Sequence, residues 1–227
     1  MRQFGGRSYY DTTTELANPS RCALLLVGIQ NDHLSPGGYY EKKGRKISIT
    51  RSVIPKVQKL LSAARESNVM VIYALHSISP GLASDAPSGL SYHVPMGADP
   101  SKPNDFLTIE GTWGYKVIDE LAPAGADRVL PFNRGDPFIA TSLEQVLRSH
   151  GKESILFAGT ETQATIESAS RSAANRDFYR LFVKDCIAST NQEAHDAMFK
   201  INMGRVPMAT SDEVVAVWKS SLERRVS

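Results

Sequence analysis

From Cys22 to Ile29 the chain reads Cys-Ala-Leu-Leu-Leu-Val-Gly-Ile, with no polar side chain. A strand with one face in water alternates polar and apolar residues. A short run without alternation belongs to a strand covered on both faces, which in practice means a parallel sheet between helices. Val69–Leu75, Asp127–Phe132, 153–158, Tyr179–Lys184 and Val206–Met208 read as further strands. Helical patterns lie between them. Residues 51–67 place Val53, Ile54, Val57, Leu60, Leu61 and Ala64 on one face, with Pro55 in the first turn, where proline is tolerated. Thr141-Ser-Leu-Glu144 has capping-box spacing and predicts a helix closing at Gly151. A helix over about 164–176 carries Ala169, Ala173 and Ala174, a small face suited to close approach. Another begins near Asn191, and Ser211-Asp-Glu-Val predicts an N-cap and acidic first turn for the last. Alternating strands and helices predict one α/β domain with a parallel sheet covered on both faces.

A length of 227 residues suits a single domain, here 21–227 preceded by a polar arm over 1–20. The net charge of +2 argues against a dedicated nucleic-acid surface. Cys22 and Cys186 form no C-x-x-C pair and read as buried thiols, so neither a disulfide framework nor a thiolate metal site is expected. No apolar run is long enough to span a membrane and no secretory leader is read at the start, so a cytoplasmic protein is expected. Residues 77–110, rich in Pro, Gly, Ser and Asp, predict a lid or an oligomer contact. His76 and His93 stand at its ends with no second ligand at metal spacing, and no metal or cofactor is expected.

The chemistry concentrates in Ile155–Arg171. A buried strand, a turn at Gly159 and a helix start near Thr162 leave backbone N–H groups pointing at one place, where an anion or a developing oxyanion is stabilised. Thr165 stands where a nucleophile would be displayed. Because ligands of open α/β sheets bind beyond the carboxyl ends of strands, 28–33 is a candidate wall, bringing in Gln30 and His33. Arg134 reads as a clamp for a carboxylate or amide. Trp113, Asp136, Glu161 and Gln163 complete the candidate pocket, with ordinary packing, hydrogen bonding or surface ion pairing as the alternative for each.

Several segments together resemble the isochorismatase-like cysteine hydrolases over about Ser20–Trp218. Ala23–Asp32 resembles the first strand with its D-x-Q-N-D ending. Val129-Leu-Pro to Glu144 resembles the lysine segment, and Gly159–Arg171 the G-x-x-T-x-x-C-V-x-S-T-x-R nucleophile segment. Ser35-Pro-Gly-Gly38 and Gly111–Leu121 resemble the ureidoacrylate and biuret amidohydrolase branch. The resemblance implies a three-layer α/β/α sandwich with about six strands, a homo-oligomer (dimer or tetramer), and catalysis by an Asp, a Lys and a Cys. At those positions this chain has Gly28, Phe132 and Thr165. Losing both charges is self-consistent, because one left alone would be a costly buried charge. Phe132 is expected to fill the volume that Gly28 leaves open. The expected function is a triad-deficient homologue that binds a small molecule carrying a carboxylate or amide, or that serves in assembly. The alternative is an amide or ureide hydrolase rebuilt around Thr165.

Overall fold

A computed structural model describes residues 1–226. An antiparallel hairpin, β1 (Arg2–Phe4) and β2 (Arg7–Tyr9), opens the chain. The main sheet holds β3 (Cys22–Val27), β4 (Met70–His76), β5 (Arg128–Phe132), β6 (Ser154–Gly159), β7 (Tyr179–Ile187) and β8 (Met208–Ala209). Its strands are parallel, in the order β5-β4-β3-β6-β7-β8. The two least alternating runs became the two central strands. Every residue of β3 and β6 is buried, with Leu24 opposite Leu156 and Val27 opposite Gly159.

Alternate residues of these strands feed two cores. Leu24, Leu26 and Leu156 pack against Val57, Leu60 and Leu61 of helix Ile54–Glu66, and against Val214 and Trp218 of helix Ser211–Val226. Leu25, Ile155 and Phe157 pack on the other face against Leu143 and Leu147 of helix Leu143–Ser149 and against Ala169 and Ala173 of helix Glu167–Ala174. The result is the expected three-layer α/β/α sandwich. Each leucine removed from water in this way contributes about 1.5–3 kcal/mol.

A third cluster lies beyond the sheet, where Tyr39, Tyr40 and Ile47 pack against Ile78, Phe106, Leu107 and Ile109. The 77–110 segment therefore has a small core of its own and carries the helix Pro87–His93. At the start of the chain, helix Thr13–Leu16 has a complete capping box from Thr12 and Glu15, and Ala17 O accepts from Trp218 Nε1 at 2.8 Å.

Two expected caps differ. The Thr141–Glu144 box is not formed: Thr141 Oγ1 donates to Pro137 O at 2.5 Å and accepts from Leu143 N at 3.2 Å, while Glu144 pairs with Arg176 at 3.0 Å. In the last helix the box belongs to Thr210, whose Oγ1 accepts from Glu213 N at 3.3 Å, while Ser211 Oγ donates to Asp185 at 2.9 Å. The helix expected over about 164–176 begins as a wide turn, Thr162–Ile166, in which Ile166 N donates to Glu161 O at 3.3 Å. Regular α geometry follows over Glu167–Ala174. Cys22 and Cys186 are free and buried. Among the described residues, no helix is long and apolar enough to cross a membrane.

Candidate functional site

The sheet order reverses between β3 and β6, since β4 and β5 continue to one side and β7 and β8 to the other. A crevice opens at such a point, beyond the carboxyl ends of the strands. Here two glycines let the chains after β3 and β6 touch. Gly159 has φ +116°, and a Cβ on it would stand 2.1 Å from Val27 O. Gly28 has φ +62°, and a Cβ on it would stand 2.4 Å from Thr160 O. Thr160 Oγ1 donates to Gly28 O at 2.9 Å. The volume a side chain would take at Gly28 is thus met first by the Thr160 backbone. This corrects the expectation that Phe132 fills it.

Above this junction is a cavity of about 380 Å³. Gly28, Phe132 and Thr165 all line it, as do His33, Arg134 and Glu161. Four other predicted pocket residues do not. Gln30 is fully buried and stitches segments together: its Nε2 donates to His76 O and Tyr115 O, each at 2.8 Å, and its Oε1 accepts from His76 N at 2.9 Å. Asp136 accepts from Phe138 N at 2.9 Å and from the Ser172 hydroxyl. Trp113 is 51% exposed and borders a separate surface depression with Asp32. Gln163 Nε2 donates to Glu161 at 3.2 Å. In each case local hydrogen bonding or a turn in the chain took a residue that sequence proximity had assigned to the pocket.

Three aromatic rings, Tyr40, Tyr92 and Phe132, and three imidazoles, His33, His76 and His93, form part of the cavity wall. Phe132 is buried and meets His76 edge-on, centroids 5.6 Å apart. His33 Nδ1 lies 2.9 Å from Gly28 O. A carbonyl only accepts, so Nδ1 carries the proton and Nε2 keeps its lone pair. Burial holds the His33 imidazole below its ordinary pKa. Burial, reinforced by His33 and His93, pushes His76 down to about 3. Both rings are therefore uncharged at neutral pH. Burial first and the Glu161 carboxylate second push the Tyr40 phenol up, so it stays protonated.

The 77–110 segment supplies groups that sequence reasoning left out of the pocket. Its helix brings His93 to the wall, where Nε2 lies 2.9 Å from Asp85 Oδ1, and Tyr92 beside it. The only signal was the length of an irregular segment; nothing in the spacing of Asp85 and His93 marks them as a pair. Arg134 is tied back by bonds to Asn133 O at 2.9 Å and Ser84 O at 3.1 Å. Thr165, half-buried at the rim, makes no side-chain hydrogen bond among the described residues, so no base holds its proton. Its turn leaves the amides of Thr162, Gln163 and Ala164 without backbone acceptors among the described residues. Among the described residues no group of three or more His, Cys, Asp or Glu side chains is placed to hold a metal ion.

Comparison with known proteins agrees with this geometry. The isochorismatase domain model matches residues 22–212. A cysteine hydrolase from Pseudomonas syringae pv. phaseolicola superposes with a TM-score of 0.77 at 24% identity, covering 89% of this chain and 94% of that one. An N-carbamoylsarcosine amidase from Thermoplasma acidophilum gives 0.66 at 20% identity, over 85% and 97% of the two chains. A nicotinamidase from Bacillus subtilis gives 0.64 at 20% identity, over 84% and 99%. At these identities the likeness is one of fold.

Proposed function

Since the chain belongs to the isochorismatase family, we propose that it is a member which binds a small molecule at the β3/β6 crevice without hydrolysing it. One observation carries the reading. Gly28, Phe132 and Thr165, which we align with the family's Asp, Lys and Cys, converge on one cavity, and none brings a thiol, a base or a cation to it. Acyl transfer needs an activated nucleophile, and a threonine hydroxyl without a hydrogen-bonded base is not activated near neutral pH. The cavity and the free amides of the wide turn need no triad, so binding outlives catalysis. On Ser35-Pro-Gly-Gly38 and Gly111–Leu121 we place the chain beside the ureidoacrylate and biuret amidohydrolases, and with them as a dimer or tetramer.

The test is ammonia release from a panel of small amides and ureides, with Thr165→Ala as control and thermal shift as the readout of binding. The expected result is no release, with one or more panel members raising the melting temperature. Release that disappears in Thr165→Ala would establish the second reading, a rebuilt hydrolase. That reading is favoured by the Asp85–His93 pair, an oriented imidazole in the same cavity.

A further inference from the structure

Glu161 is a buried carboxylate, 7% exposed, in the cavity wall. It accepts hydrogen bonds from Ser189 Oγ at 2.8 Å, Gln163 Nε2 at 3.2 Å and Thr190 Oγ1 at 3.4 Å. Among the described residues it has no lysine, arginine or histidine at ion-pair distance. The cavity's other carboxylate is different: Asp85 has His93 at 2.9 Å and Arg134 at 4.0 Å. The one cation in the wall is thus matched to Asp85, and Glu161 is left without a counter-charge. An uncompensated buried charge is costly, and a ligand of opposite sign relieves the cost.

Two imidazoles point the same way. His33, with Nδ1–H engaged by Gly28 O, turns a lone pair at Nε2 toward the cavity. His93, 8% exposed, gives its Nε2 to Asp85 and leaves Nδ1 buried without a partner. The acceptors of the wall are therefore the two carboxylates and His33 Nε2, His93 Nδ1 being sealed behind it. Tyr92 and Phe132 add aromatic rings, which favour a cation held over their faces, while the Tyr40 ring already carries the Arg45 guanidinium 4.1 Å from its centroid. A cavity of about 380 Å³ suits a molecule of one or two rings.

We propose that this cavity takes a small, flat organic cation that donates hydrogen bonds in its plane, of the amidinium or guanidinium class, in preference to a carboxylate or a neutral amide. This rests on the binding function above and fixes the ligand's charge. An amidinium offers two parallel N–H groups to the Glu161 carboxylate and lays its ring against the aromatic wall. Arg134, which from sequence suggested a carboxylate ligand, is already held by two carbonyls and matched by Asp85.

Benzamidine, benzamide and benzoate differ little in shape and separate the three classes. With the purified full chain at neutral pH, benzamidine should raise the melting temperature and give measurable calorimetric binding, while benzoate at the same concentration should not. Glu161→Gln should weaken benzamidine at least about tenfold and weaken benzamide less. Thr165→Lys serves if Glu161→Gln fails to fold; it sets an ammonium at the half-buried rim and should weaken benzamidine to a similar degree. Benzoate binding as tightly as benzamidine would overturn the ligand class while leaving the binding function intact. So would benzamidine binding that ignores both substitutions, or a failure of benzamidine to bind while other panel molecules do. Failure of every molecule in both panels would remove the binding function itself.

Discussion

Thr160 and Gly28 hold one another across the ends of the two central strands. The Thr160 hydroxyl donates to the Gly28 carbonyl at 2.9 Å, and the Thr160 carbonyl occupies the place where a Gly28 side chain would begin. The absence of a side chain at Gly28 is therefore built into the backbone of this site. Gly28→Asp should not regenerate an acid or base in the cavity. It should instead force Thr160 aside from a backbone already at positive φ, with a loss of about 2–4 kcal/mol. Denaturant unfolding measures this directly. A variant as stable as the parent would show that the loop after β6 yields freely.

Gly159 is subject to the same constraint. A Cβ there would stand 2.1 Å from Val27 O at φ +116°. Gly159→Ala should cost more than about 3 kcal/mol, while Gly135→Ala, where a Cβ meets nothing within 4 Å, should stay within about 0.5 kcal/mol of the parent. Thermal melts of the two variants side by side check the contrast.

The fold was legible because its signals are local. Unbroken apolar runs name β3 and β6, and the 3.6-residue spacing of Val57, Leu60, Leu61 and Ala64 names the helix that covers them. The site was legible only in part. Gly28, Phe132 and Thr165 were legible because all three follow or end parallel strands, so that they lie at the same carboxyl edge of the sheet as the crevice between β3 and β6. Gln30 was misread because its acceptors, His76 O and Tyr115 O, come from segments 46 and 85 residues away, and nothing near Gln30 announces them. Asp85 was missed, and His93 was noted only as a histidine without a metal partner, because their segment has no period to read. The wide turn at 162–166 was missed because it depends on one carbonyl, that of Glu161, accepting five residues ahead.

The histidines make stability depend on pH. His76 falls to about 3 in the folded chain and returns to an ordinary value near 6.5 when unfolded. The unfolded state then binds the extra proton between these values, so stability is fully present above about 6.5 and is lost as pH falls toward 3. From neutral pH to about pH 5 the expected loss from His76 is about 1–2 kcal/mol, in the same direction as that from His33, which burial also lowers. Melting temperatures at the two pH values, for the parent and His76→Gln, test this. The variant should show the smaller drop, and equal drops would move the acid sensitivity elsewhere.

Restoring the cysteine alone should restore nothing. Thr165→Cys places a thiol at the rim of the cavity, where the hydroxyl it replaces has no side-chain hydrogen bond among the described residues. A thiolate forms readily only where a base or a positive charge lowers the thiol pKa. The nearest guanidinium in the wall, Arg134, is matched to Asp85, and burial keeps His33 and His76 uncharged. The Thr165→Cys thiol should therefore alkylate with an ordinary pKa of about 8.5 and release no ammonia from amides or ureides. Alkylation rate against pH reads the first and the ammonia assay the second. A pKa well below neutrality, or turnover above the parent, would mean that a group in this cavity does serve as the missing base.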